Sequence, residues 1–203
     1  MSAPTVLPPV DPALARRARL KLLLIVLACA APVIASYFTY YVIRPEGRVN
    51  YADLIEPQRP TGELPVRTLD NQESSLAQLR GKWLLITAAP SECPDGCRDR
   101  LFQMRQVRLM TGRERDRVSR LWLLTDRGSP SAALLAEHEG LELMRVDPAA
   151  LATIFETAPG SDPSRHVFIV DPLGNLMMRF PASADPAKMK KDLSKLLRAS
   201  RIG

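Results

Sequence analysis

Cys93 and Cys97 stand four residues apart around Pro-Asp-Gly in TAAPSECPDGCRDRLFQM, Thr87 to Met104. Such a pair can serve as a structural disulfide, a redox couple or a two-thiolate metal grip. A disulfide closing so short a loop restricts the unfolded chain little, so a purely structural staple is a poor explanation. If both cysteines lie in the first turn of a helix, the spacing puts them on one face, with Cβ atoms about 5–6 Å apart. Unpaired N–H groups and the helix dipole favour a thiolate there. Arg98 and Arg100 add positive charge nearby. Two soft thiolates so placed suit Cu(I), and the same two sulfurs can close as a disulfide. Spacing alone does not choose between these uses.

The elements around the pair place it at a strand-to-helix junction. KWLLITA, Lys82 to Ala88, is an apolar run of strand length, as expected of a strand buried on both faces. Residues 98–111 carry Leu101, Met104, Val107 and Leu109 at roughly helical spacing. VSRLWLLTD reads as a second buried strand, and Ser129-Pro130 as the cap and first residue of a helix running to Gly140. LELMRVD is a strand, and Asp147-Pro148 opens a helix ending near Thr157. HVFIVD, the turn PLGN and LMMRF make a hairpin, and Asp185-Pro186 caps a last basic helix. Upstream, LPVRTLD reads as a short strand, NQESS as its turn and SLAQLRG as a helical turn. Strands alternating with helices and closed by a hairpin predict an α/β fold with a mixed sheet flanked by helices. The cysteines then fall at the carboxyl end of a strand, where such folds place their chemistry.

Leu22 to Ile43, LLLIVLACAAPVIASYFTYYVI, is different in kind: 22 residues without a charge. As a helix it spans about 33 Å, enough for a hydrocarbon core of about 30 Å. Arg16, Arg17, Arg19 and Lys21 precede it, and Tyr37, Tyr40 and Tyr41 gather at its far end. The basic flank predicts residues 1–21 in the cytoplasm, 22–43 as a transmembrane anchor, and the rest in the periplasm of a bacterial inner membrane. A cleaved signal peptide and a lipoprotein site at Cys29 are the rival readings. The apolar run passes beyond both cleavage points, and Cys29 reads as a small residue of a membrane helix. Residues 44–63, with Pro45, Pro57 and Pro60, read as a linker, and residues 64–203 as the domain. An oxidising periplasm permits disulfides, and only Cys93 and Cys97 are then available to pair there.

GKWLLITAAPSECPDGCRDRLFQM resembles the copper-site region of the Sco/SenC family, and VRTLDNQESSLAQLRGK and VFIVDPLGNL extend the likeness over most of residues 63–200. The resemblance implies a thioredoxin-like domain that helps to assemble the copper site of cytochrome c oxidase. It makes copper the cargo, Cys93 and Cys97 its ligands, and the copper-bearing oxidase subunit the partner. It also implies a third ligand, a histidine before the late strand. That register falls on Pro163, and His166, three residues on, is the histidine this chain offers. Arg98 stands where the family often has proline. Two alternatives to a metallochaperone remain: a thiol-disulfide oxidoreductase that keeps oxidase cysteines reduced, with Cys93 and Cys97 catalytic, or a scaffold whose copper site has decayed.

The net charge of +6 includes eight arginines between positions 98 and 120, read as a solvated helix face or a docking surface for an acidic partner. Nucleic acid is not expected as a partner outside the cytoplasm. His138 reads as a surface residue in the last turn of a helix, where a cation suits the dipole. Asp126 and Asp171 read as turn or cap residues, Asp95 as a turn former that could also tune the cysteines, and Met104, Met177 and Met178 as core rather than a copper relay. The topology is testable: a reporter fused after Gly203 is expected to be active only if its activity requires the periplasm. Activity confined to a cytoplasm-specific reporter contradicts the orientation.

Overall fold

A computed structural model describes residues 12–43, 50–156, 160–200 and 202. The chain divides into two compact units, Met1–Arg48 and Val49–Gly203. The first is a helix, α1 (Pro12–Phe38), continued by a π-helical turn, Thr39–Ile43. Within it Arg16–Tyr41, 26 residues, is long and apolar enough to cross a membrane. Pro32 lies inside α1 without ending it.

The second unit is an eight-stranded mixed sheet. Its strands are β1 (Asp53–Pro60), β2 (Pro65–Arg67), β3 (Glu73–Ser75), β4 (Trp83–Ala89), β5 (Val118–Leu124), β6 (Leu141–Val146), β7 (Phe168–Val170) and β8 (Asn175–Arg179). Their order is β1-β8-β7-β4-β5-β6-β2-β3. β4, β5 and β6 are parallel, with Trp83 opposite Val118 and Ala89 opposite Leu124, and the remaining pairs are antiparallel. All seven residues of β4 are buried.

Strand alternation divides those residues between two cores. Leu84, Ile86 and Ala88 join Leu121, Leu123 and Phe168 beneath α4 (Pro148–Phe155). Trp83 and Leu85 face the other way, onto α2 (Asp95–Met110) and α5 (Pro186–Ala199), with Met104, Val107, Met189 and Leu193. A third cluster holds Ala89, Cys93, Cys97, Leu101, Trp122, Leu124 and Leu134, the last from the short helix α3 (Ala132–Glu137).

The predicted α/β class, mixed sheet and flanking helices are therefore present, with some boundaries moved. Glu73–Ser75, expected in a turn, is the edge strand β3. α3 is capped by Ser131, whose side chain accepts from the Leu134 N–H, rather than by Ser129. Part of the expected linker is β1, paired with β8 through Leu54–Met178 and Arg59–Leu176. Its prolines are tolerated because β1 is an edge strand, with one side free of ladder bonds. Residues 44–49 of that linker, and 157–159 of the loop after α4, lie outside the described residues.

Asp192 of α5 is 2% exposed, and its Oδ2 accepts from the Tyr51 and Ala52 N–H groups at 2.6 and 2.9 Å. Its Oδ1 lies 3.1 Å from Lys195 Nζ. A carboxylate in that position ties the start of the sheet unit to the last helix. Asp192→Ala leaves buried donors unpaired and is expected to destabilise the sheet unit by about 2–4 kcal/mol in denaturant unfolding. A loss below about 0.5 kcal/mol would contradict this role.

Candidate metal and redox site

The turn after β4 is shaped before the helix begins. Cys93 has φ of +47°, in the left-handed region that a non-glycine residue rarely takes. Pro94 is the N-cap of α2, and Cys97 is the third residue of the helix. Cys93 thus stands just ahead of the helix and Cys97 within its first turn. The two Cα atoms are 5.1 Å apart and the sulfurs are joined as a disulfide. The Cys97 N–H donates to the Pro94 carbonyl at 2.7 Å, and Arg98 Nε donates to the Cys93 carbonyl at 3.2 Å. Ser91 donates through N and Oγ to Asp126 Oδ2 at 3.0 and 2.9 Å, tying this turn to the end of β5. A Cβ on Gly128 would lie 1.9 Å from Ser91 Oγ, so the two segments touch through a position that admits only glycine.

Both cysteines are 0% exposed, against Leu101, Trp122, Leu124 and Leu134. Trp122 Nε1 donates to the Ala89 carbonyl at 3.1 Å, holding the indole beneath the turn. An apolar setting opposes thiolate formation, whereas the helix start favours it.

His166 is linked to this turn through its backbone. Thr87 Oγ1 donates to the His166 carbonyl at 3.2 Å, and Arg100 Nε donates to Thr87 Oγ1 at 2.9 Å. Arg100 folds back along α2, so that its Nη1 lies 3.5 Å from where a Gly96 Cβ would stand. Burial lowers the Arg100 pKa, while Asp162 and Asp99 oppose the shift. The His166 ring points its Nδ1 at the Phe180 carbonyl, 2.8 Å away, and stacks edge-on against Phe168. Among the described residues, no three or more His, Cys, Asp or Glu side chains are grouped to hold a metal. The structure brings Cys93 and Cys97 together and does not bring the His166 ring to them. The donor set therefore fits a two-sulfur Cu(I) site once the disulfide is reduced.

His138 is a correction to the sequence reading. It is 5% exposed, buried rather than on the surface, because the end of α3 folds in against Arg105 and Arg120. The arginine stretch is also less solvated than expected. Arg100 and Arg120 are buried, and Arg108 and Arg117 donate to the carbonyls of Val118 and Leu197. Asp126 is a tie between strand ends, whereas Asp171 is the expected turn residue, accepting from Leu173 and Asn175. Met104 and Met178 are buried in the core, and Met177 packs beside it. Asp95 supplies the acid of the first turn of α2. The Thr87–Arg100 link was not read from the sequence. The sequence offers Arg100 as a positive charge near the cysteines, and its place on the sheet-facing side of α2 is the one signal of the Thr87 bond.

The chain belongs to the transmembrane-like, thioredoxin-like, C-terminal domain family, whose model matches residues 83–200. Among solved structures it is similar to copper-bound ScoI of Bradyrhizobium japonicum, at 21% identity and a TM-score of 0.51, covering 68% of this chain and 99% of that one. Copper-bound yeast Sco1 gives 18% identity and a TM-score of 0.56, covering 70% and 96%. Apo Sco1 of Thermus thermophilus gives 18% and 0.53, covering 76% and 98%. At these identities the likeness establishes the thioredoxin-like fold that these structures share. Compared with curated proteins, the sequence matches none.

The two histidines carry a pH dependence. Burial is the main cause holding His166 below its ordinary 6.5, opposed by the Phe180 bond and reinforced by Arg179 and Arg165. His138 is lowered by burial first, then by Arg120 and Arg105, with Glu137 opposing. The folded chain favours both rings neutral, so the unfolded chain takes up protons first as pH falls through 6.5. Their contribution to stability is complete above that value and declines below it. Urea unfolding is expected to weaken between about pH 7.5 and pH 5.5, and the variants His138→Gln and His166→Gln to flatten the slope. An unchanged slope in both variants contradicts the assignment.

Proposed function

We propose that this chain is a membrane-anchored assembly factor that handles copper outside the cytoplasm for cytochrome c oxidase, through Cys93 and Cys97. The observation that carries the reading is the cysteine pair itself, at the carboxyl end of β4 in a fold shared with Sco structures solved with copper bound. The disulfide must first be reduced. A dithiol donor supplies two electrons and two protons, is itself oxidised to a disulfide, and leaves Cys93 and Cys97 as thiols. Cu(I) then binds the two sulfurs and releases their protons. Transfer to the copper-bearing oxidase subunit frees the two sulfurs, which take up two protons from solvent and return to the dithiol. Arg98, bonded to the Cys93 carbonyl, and Arg100, set against Gly96, keep positive charge beside the developing thiolates.

A second reading, a thiol-disulfide oxidoreductase acting on oxidase cysteines, is favoured by the closed disulfide and by the engagement of the His166 ring with Phe180. It uses the same two sulfurs without a metal.

Cu(I) titration of the reduced full-length protein in detergent, against a chromogenic chelator, separates the two. One equivalent is expected to bind. Cys93→Ser or Cys97→Ser should weaken it at least about 100-fold, as expected for removing one of only two soft ligands. His166→Ala should leave Cu(I) affinity unchanged. Loss of a Cu(II)–thiolate absorption band in His166→Ala would restore that histidine as a third ligand. No Cu(I) binding, together with cycling of Cys93–Cys97 against a periplasmic reductant, overturns the copper reading in favour of the redox one. Deleting the gene should lower assembled oxidase activity when copper is limiting.

A further inference from the structure

Beneath α2 and α3 the sheet carries a buried arginine that faces no acid. Arg120 lies on β5 opposite Leu141 of β6 and is 3% exposed. Its Nη2 donates to the Glu139 carbonyl, whereas its Nε and Nη1 are buried without a hydrogen-bond partner. His138, 5% exposed, has its Nδ1 buried and unpartnered as well. From the other side Arg105 Nη1 donates to the Glu137 carbonyl at 2.8 Å. Arg105, Arg120 and His138 thus converge on one three-residue turn, 137–139, where α3 ends.

The charges acting on Arg120 are those of Arg108 and Arg105, both cationic. Glu137 and Glu139 offer this turn their carbonyl oxygens and are exposed, and the Glu137 charge acts on His138 less than burial and the two arginines do. Arg108 is turned away, with Nε on the Val118 carbonyl and Nη2 3.7 Å from Asp116. A buried cation without a counter-charge is strongly unfavourable, and buried donors are normally satisfied. What the turn leaves unpaired are Arg120 Nε and Nη1 and the His138 Nδ1, a donor in the tautomer that protonates it. A water can take these bonds, since each nearby carbonyl keeps a second lone pair, but it leaves the buried charge without an opposite one. An anion accepts only, and it also offsets the charge.

We propose that Arg120, His138 and Arg105 form an internal site for a small inorganic anion of halide size, chloride being the abundant member of that class. A monoatomic anion suits the setting because it brings no donor of its own. The site holds the end of α3, whose Leu134 shares an apolar cluster with the cysteine pair. It is independent of whether that pair binds copper.

The test compares thermal unfolding of the full-length protein in detergent, in sodium chloride and in sodium gluconate at one ionic strength. Chloride is expected to raise the midpoint saturably by roughly 2–5 °C, with bromide acting similarly. The same protein should broaden the chloride NMR line. Arg120→Met should abolish the difference between the two salts. His138→Leu should weaken the chloride dependence at least about tenfold, since it removes one of the few donors, and it decides the matter if Arg120→Met does not fold. Equal midpoints in the two salts overturn the proposal and leave these donors to water. A full chloride response retained in Arg120→Met, or in His138→Leu, overturns the location.

Discussion

Every residue of β4 is buried, and the arrangement of the sheet unit depends on that constraint. A strand with no solvent face must be paired on both edges and covered on both faces. β5 and β7 supply the edges; α4 covers one face, and α2 with α5 the other. Leu84, Ile86 and Ala88 cannot trade faces with Trp83 and Leu85, because a one-residue slip would invert every side chain. The strand is fixed in register, and its carboxyl end is fixed with it. That end is where the chain turns through Cys93 into α2.

The turn inherits its geometry from its surroundings. Cys93 holds a left-handed backbone because the Cys97 bond, Arg98 on its carbonyl, and the Ser91–Asp126 tie together specify its path. Ser91 and Gly128 touch so closely that the loop after β5 and the cysteine loop act as one piece of surface. The apolar cluster from Leu101 to Leu134 then seals the sulfurs from solvent. Leu134 brings into that cluster α3, a helix of six residues held by one cap and two arginine bonds. So short a helix owes its stability to its contacts rather than to its own hydrogen bonds.

Charge is distributed with the same economy. The arginines of the 98–120 stretch are spent largely on carbonyl oxygens: Cys93, Val118, Glu137, Glu139 and Leu197 each accept from one. A planar guanidinium with five donors suits this work better than an ammonium group does. The positive charge of the unit therefore reflects internal bracing as much as any outward field.

The sequence by itself determined the parts whose signals are local. The anchor is marked by an uncharged run, β4 and β5 by continuous apolar residues, and α4 and α5 by Asp-Pro starts whose aspartates do cap them. The position of Cys93 and Cys97 at the junction of a buried strand and a helix follows from those same local signals, although α2 begins early enough to include Cys97. Tertiary structure decided whatever depends on residues far apart in the chain. The prolines of β1 hide a strand that exists only because β8 accepts it at the sheet edge. His138 is buried because Arg105 and Arg120, 33 and 18 positions earlier in the sequence, reach the turn that contains it. The His166 ring is drawn to the Phe180 carbonyl, 14 residues on, and so is not grouped with the cysteines. Side-chain direction at a strand end is settled by which distant acceptor the fold brings within hydrogen-bond range, and no spacing in the sequence encodes that.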